Sequence, residues 1–325
     1  MNVFVVGSGA VGTFLGQRLS AGGAAVAYAP RELAAVRPAA CDLAIVAVKA
    51  YDTGGAIQTL RAALAEAPHA TILCPQNGVG NEERLAAAFG ADAVMSAALT
   101  VPVEKSRDGT FSAANRGGIA LAPVGSQAHN WLVAAFESAG IPVKVASDYR
   151  AMKWSKLSLN IIANASCAIL NVLPERLVQL EGMFSLEVRA IRETRDVMKA
   201  LKLTPVDLPR YPVRALQSAV ALPSGLARML LAGRIAGARG RKPPSLLLDL
   251  REAKGHTEVD VLNGAVAAAG REHGVQTPVN TVFARVLDDI AHMPQLWAKY
   301  RERPRALAAE VEAEERRMGA IRSTG

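Results

Sequence analysis

The sequence predicts an α/β fold in two parts: an open, mostly parallel sheet flanked by helices, then an all-helical domain. Three observations predict it. A Val-rich apolar run, a glycine-rich turn and a helical pattern open the chain in immediate succession. Short apolar runs alternating with helical patterns continue to residue 146. From Tyr149 onward the apolar spacing is helical almost throughout, and its breaks carry Pro or Gly. The predicted domains are therefore 1–146 and 147–325.

Residues 2–6 form the first strand, and Gly7-Ser8-Gly9-Ala10-Val11-Gly12 follows. This is G-x-G-x-x-G between strand and helix, the context a Rossmann-type dinucleotide site requires. Gly7 permits the tight turn, Gly9 lets the backbone approach a pyrophosphate, and Gly12 lets helix and strand pack closely. The helix N-terminus favours the phosphate charge. The second strand, Ala25 to Ala29, ends at Pro30-Arg31. Arg31 suits the 2′-phosphate of NADP(H), while Glu32 beside it suits a ribose hydroxyl; the arginine favours NADPH.

Two more strands end in polar residues. Leu43 to Val48 delivers Lys49, and Thr71 to Cys74 delivers Gln76, Asn77 and Gly78. Ligands of open parallel sheets bind beyond the carboxyl ends of the strands. Lys49 and Asn77 are thus candidates for the meeting point of cofactor and substrate, although each alone also reads as a solvated lysine or an Asn-Gly turn. Asn81 is predicted to cap the next helix. Residues 94–124 alternate and turn like antiparallel strands at the far edge of the same sheet. A helix over 126–139 and a strand, Val143 to Ala146, close the domain.

The second part is predicted as helices over 150–171, 175–202, 212–221, 223–237, 245–253, 258–273, 278–291 and 294–320. The first contains KWSKLSLNIIAN, in which Lys156, Asn160 and Asn164 recur every four residues. On an uninterrupted helix they form one polar stripe, and Lys153 lies near that face. Thr257 and Asp260 resemble a capping box, which puts Glu258 in the first helical position, where the dipole favours its carboxylate. Ser245, after two prolines, reads as an N-cap. The bland alternatives are a stripe facing water, an ordinary first-turn acid and a simple cap.

Composition narrows the classes. Half of the 325 residues are hydrophobic, enough for two cores. Cys41, Cys74 and Cys167 are far apart, so neither a disulfide framework nor a metal site is expected, and a reducing cytoplasm is the default. No signal peptide and no membrane-spanning apolar run is visible. The net charge of +8 is uneven: residues 1–146 hold 10 basic and 10 acidic residues, which leaves 27 basic and 19 acidic in the remainder. Arg234, Arg239, Arg241 and Lys242 form the densest basic cluster, but no aromatic platform accompanies them, so no nucleic-acid partner is expected. A solvated basic surface is the first reading of the charge, and attraction of an anionic cofactor and substrate the next.

The chain resembles the ketopantoate reductase (2-dehydropantoate 2-reductase) family over nearly its whole length. The residues that carry the resemblance are GSGAVG at 7–12, VAVKAYDT with Lys49, QNGVGNEE with Asn77, KLSLNIIAN with Lys156, Asn160 and Asn164, and PSLLLDL…TEVDVLNG with Ser245 and Glu258. Between Arg31 and Asp42 the chain is shorter than is usual in the family. The resemblance implies NADPH-dependent reduction of 2-dehydropantoate to (R)-pantoate, a step toward pantothenate and coenzyme A. It implies Lys156 as general acid and Glu258 as a charged group ordering the site. Asn160, Asn164 and Ser245 would bind substrate, Asn77 would border both nicotinamide and substrate, and Lys49 and Arg31 would serve the cofactor. A homodimer is compatible with the long apolar helices. The alternatives are a related NAD(P)H-dependent reductase of another 2-oxo acid and a non-catalytic dinucleotide-binding sensor.

Overall fold

The structure, a computed structural model, describes residues 1–29, 40–65, 67–105, 111–114, 116–127, 129–237 and 243–323. It shows the expected class, a Rossmann-type sheet followed by helices. The chain forms two compact units: Met1–Lys156 with Val206–Pro212, and Leu157–Pro205 with Val213–Gly325. Arg31, Glu32, Arg239, Arg241 and Lys242 lie outside the described residues.

The first unit is built on strands β1 (Asn2–Val6), β2 (Ala25–Tyr28), β3 (Leu43–Val46), β4 (Thr71–Cys74), β5 (Val94–Leu99), β6 (Val103–Lys105), β7 (Phe111–Ala113), β8 (Ile119–Pro123) and β9 (Val143–Val145). The main sheet has the order β2-β1-β3-β4-β5-β8-β9. It is parallel from β2 to β5, antiparallel between β5 and β8, and parallel again between β8 and β9. A sheet covered on both faces buries every residue of its central strands, which is why those strands are continuous apolar runs. Alternate residues feed two cores. Val3, Val5, Ile45 and Leu73 join Phe14, Leu15 and Phe136 on one face. Phe4, Val46, Ile72 and Cys74 join Leu60 and Leu85 on the other. The covering helices are α1 (Ala10–Ala21), α2 (Thr53–Ala63), α3 (Asn81–Phe89) and α4 (Trp131–Ser138).

Two expectations are corrected here. Residues 94–124 do not all join the sheet edge: among the described residues β6 and β7 pair only with each other, and β9 forms the edge. Asn81 is not a cap but the first residue of α3, after Gly80 at φ 96°. Its carboxamide is occupied instead by Thr53 Oγ1 at 3.0 Å and the Asn77 carbonyl at 3.3 Å.

Helix α5 (Tyr149–Asn160) contains the division between the units, at Lys156–Leu157. The strap Val206–Pro212 belongs to the first unit: Val206 N–H donates to Ser155 Oγ, and Thr100 Oγ1 donates to the Pro209 carbonyl. The second unit contains α6 (Ala165–Leu170), α7 (Pro174–Leu177), α8 (Met183–Ala200), α9 (Val213–Ala219), α10 (Ser224–Gly237), α11 (Ser245–Arg251), α12 (Asn263–Glu272), α13 (Pro278–His292), α14 (Trp297–Tyr300) and α15 (Pro304–Ser323). Helix α13 is its axis, burying Val279, Val282, Phe283, Val286, Leu287 and Ile290. Helix α15 packs through Leu307 and Val311, and its Glu310 accepts from Lys299, Arg285 and Tyr300. Helix α15 is thus a packing helix of this unit.

Five helical expectations change. The stretch 175–202 is α7 and α8, parted before Gly182 at φ 77°, and 294–320 is a 3-10 turn, Pro294–Leu296, followed by α14 and α15, parted at Glu302 with φ 55°. The stretch 150–171 is two helices, because the chain turns at 161–164 with Ala163 at φ 46°. Glu258 precedes a short 3-10 turn, Val259–Val261, rather than opening α12. Ser245 is the first residue of α11 and Pro244 its cap position. Among the described residues, no helix is long and apolar enough to cross a membrane.

Candidate active site

The first unit gathers its candidate residues at the carboxyl edge of β1, β3 and β4. Gly7 follows β1 at φ 106°, and a Cβ there would lie 2.6 Å from the Ala47 backbone. At Gly12 a Cβ would lie 1.9 Å from the Gly7 carbonyl, so only glycine lets α1 start this close to the turn. Ser8 and Gly9 are exposed, while Ala10 and Val11 are half-buried. Thr13 fixes the turn from inside the helix, its N–H donating to Gly9 O and its hydroxyl to Ser8 O. A Cβ on Gly9 would meet nothing within 4 Å, and the first turn of α1 has no acidic residue. Open space before unpaired helical N–H groups, free of negative charge, fits the pyrophosphate of a dinucleotide.

Lys49 and Asn77 stand on neighbouring strand ends, Lys49 half-buried and Asn77 exposed. A polar network ties their two loops together. Gln76, 5% exposed, donates from Nε2 to the Val48 carbonyl at 3.1 Å and to Thr53 Oγ1 at 2.9 Å. Thr53 donates to the Ala50 carbonyl and to Asn81 Oδ1, and Asn81 Nδ2 reaches the Asn77 carbonyl. Arg84 adds a second donor to Ala50 O.

Helix α5 brings two lysines to this unit. Lys156 is half-buried. Lys153 is 3% exposed, and its ammonium bonds the Gln76 carbonyl and, at 2.9 Å, Glu82 Oε1. Ser96 Oγ donates to the same carboxylate oxygen at 2.8 Å. Burial works against the Lys153 ammonium, but Glu82 foremost, with Cys74 and Glu83, outweighs it and raises its pKa. Burial also pushes the Cys74 thiol well above its ordinary value, with Glu82 adding to the shift, so this cysteine is not a nucleophile. Tyr149, at the start of α5, donates to Glu83 and is pushed up to about 12 by burial and that carboxylate.

The remaining candidates belong to the second unit. Asn160 is half-buried at the end of α5. Asn164 is 1% exposed; its Nδ2 donates to the Asn160 carbonyl at 3.0 Å and its Oδ1 accepts from Leu246 N–H at 3.2 Å. It thereby links the end of α5 to the start of α11, next to half-buried Ser245. The expected three-residue stripe is therefore two residues, Lys156 and Asn160, followed by an internal tie. The chain break is held by Glu187, also 1% exposed, which accepts from Ala163 N–H at 2.6 Å and Ser166 Oγ at 2.5 Å. Glu258 is 7% exposed, and Thr257 Oγ1 accepts from Val259 N–H beside it. No cluster of three or more metal-ligating side chains occurs among the described residues.

Sequence reading missed Lys153 as a paired cation, and missed Glu82, Thr53, Arg84 and Glu187 altogether. Only the Glu82-Glu83 pair after QNGVGN, and Lys153 three residues before Lys156, hinted at them.

Known proteins point the same way. The family description "Ketopantoate reductase PanE/ApbA" matches residues 27–126, and its C-terminal counterpart matches 148–291. A 2-dehydropantoate 2-reductase of Halobacterium salinarum is 28% identical over 262 residues, covering 78% of this chain and 76% of its own. A solved PanE/ApbA family ketopantoate reductase from Ralstonia eutropha is 27% identical with TM-score 0.73, covering 91% of this chain and all of its own. D-mandelate dehydrogenase, solved with NADH and anilino(oxo)acetate, reaches TM-score 0.75 over 91% of this chain and 99% of its own. At 17% identity that is a likeness of fold alone.

Proposed function

Because the chain belongs to the ketopantoate reductase family, we propose that it reduces 2-dehydropantoate to (R)-pantoate with NADPH, with Lys156 as the general acid. The observation that carries the reading is in the first unit. A glycine turn with an open cradle ends β1, and a half-buried Lys156 sits on a helix bonded to the end of β4.

NADPH, when bound, supplies the hydride to the C2 carbonyl carbon. Negative charge then develops on the carbonyl oxygen, and Lys156 meets it with an ammonium that gives that oxygen a proton. Gly7, Ser8, Gly9, Ala10, Val11 and Gly12 would hold the pyrophosphate, Lys49 would serve the cofactor, and Arg31 would pair with the 2′-phosphate. Asn77 borders the nicotinamide and substrate. Asn160 and Ser245 bind the substrate with neutral hydrogen-bonding groups, which leaves Lys156 the dominant cation. Asn164 acts on substrate by holding Asn160 and the start of α11 in place. Glu258 is the charged group that helps order the site.

Initial rates of NADPH consumption with ketopantoate test this. Turnover with NADPH clearly preferred over NADH is the expected result. Turnover only with a different 2-oxo acid would transfer the chain to a related reductase. Cofactor binding without turnover on any 2-oxo acid would make it a sensor.

A further inference from the structure

We propose that Lys153 is a positioning residue: by donating to the Gln76 carbonyl it fixes α5, and with it Lys156, against the strand end that carries Asn77. The inference rests on the reading that Lys156 protonates the substrate and Asn77 borders the cofactor.

Lys153 precedes Lys156 by three residues, a rise of about 4.5 Å along the same helix. Its side chain is 3% exposed and its ammonium is engaged by Gln76 O and Glu82, so it does not itself donate a proton to substrate. What it contacts is informative. Gln76 is the residue before Asn77, and its side chain already binds Val48 O, the carbonyl before Lys49. One backbone carbonyl thus joins the proton donor's helix to the β4 end, and one carboxamide joins the β4 end to the β3 end. The three proposed functional groups of this unit, Lys156, Asn77 and Lys49, are referred to a single residue.

A buried ion pair adds little net stability compared with apolar residues of the same size. A directed bond to a carbonyl, by contrast, sets where α5 lies. Hydride and proton transfer need that setting, since a misplacement of about 1 Å can reduce turnover about 100-fold. Glu82 keeps Lys153 charged against its burial, and Ser96 holds the carboxylate that does so.

The test compares wild type with E82Q, K153M/E82Q and K153Q/E82Q, each checked for folding by circular dichroism. E82Q removes the charge but keeps acceptors for Lys153 and Ser96, and the double variants leave no buried carboxylate unpaired. E82Q, which leaves Lys153 as a donor to the Gln76 carbonyl, is the reference against which the double variants are read. K153M/E82Q should lose about tenfold or more in kcat, with KM and NADPH Kd within about threefold. K153Q/E82Q, which keeps a donor, should lie between. Double variants with the kcat of E82Q would overturn the proposal, because a purely structural role lowers only stability. If K153M/E82Q does not fold, K153Q/E82Q decides alone: kcat below E82Q at unchanged Kd supports the role, and equality overturns it. If wild type reduces no 2-oxo acid, the functional reading fails separately. The nicotinamide emission of bound NADPH then decides: a drop in the double variants at unchanged Kd supports positioning, and no change overturns it.

Discussion

Lys153 and Lys156 stand one turn apart on α5 and meet opposite environments. Lys153 is enclosed with a carboxylate and a carbonyl, while Lys156 is half-buried. An ammonium must reach a developing alkoxide to act on it, so of these two only Lys156 is open to the proposed role of acid. K156A should reduce kcat by about 10² to 10⁴, with NADPH affinity within about threefold because the glycine turn is untouched. Stopped-flow turnover and a fluorescence titration check this; unchanged turnover would remove Lys156 from the mechanism. Gly12 marks the same scale from the cofactor side. A methyl group there would overlap the Gly7 carbonyl, so G12A should abolish tight NADPH binding, and a titration with unchanged Kd would show that the turn yields.

Among the elements, the break between α5 and α6 has the clearest physical cause. Leu157, Ile161 and Ile162 give an unbroken helical pattern, yet the chain turns at Ala163 because Glu187 on α8 takes up its N–H and the Ser166 hydroxyl. E187L leaves both donors buried without that acceptor while keeping the volume. It should destabilise the protein by about 2–4 kcal/mol, read by urea unfolding; a loss below about 1 kcal/mol would show that the break forms without the carboxylate. This is also where sequence reading reached its limit. The glycine turn and strands β1, β3 and β4 were legible because alternating elements and a motif in context are local signals. Lys49, Asn77 and Lys156 were legible as candidates because strand ends and helix faces can be counted. The break, the Lys153–Glu82 pair and the tie at Asn164 depend on partners tens of residues away, and no local pattern reports them. Asn81 and Ser245 were misread as caps for the opposite reason: both residue types favour caps, but Gly80 and Pro244 already occupy those positions.

At the scale of the whole molecule, both units bury carboxylates, and Glu82 and Glu193 are tuned differently. In the first, Glu82 is balanced by a lysine. In the second, Glu193 has no such cation in contact among the described residues; it accepts from Val279 N–H, Asn280 N–H and Asn280 Nδ2 at 2.7–2.9 Å at the start of α13, with Arg189 acting at longer range. Burial outweighs those donors and raises its pKa from 4.5 to about 7. A folded-state pKa above the unfolded value means the native state binds the proton more tightly. The stabilisation from Glu193 is therefore complete below about pH 4.5 and lost as pH rises to about 7, by roughly 3 kcal/mol in total. E193Q cannot titrate, so the stability of wild type relative to E193Q should fall by that amount across the window. Urea unfolding of both proteins at intervals from pH 4 to 8 measures the difference, in which all other titrating groups cancel. A difference independent of pH would show that Glu193 keeps an ordinary carboxyl pKa in the folded protein, its three donors offsetting its burial.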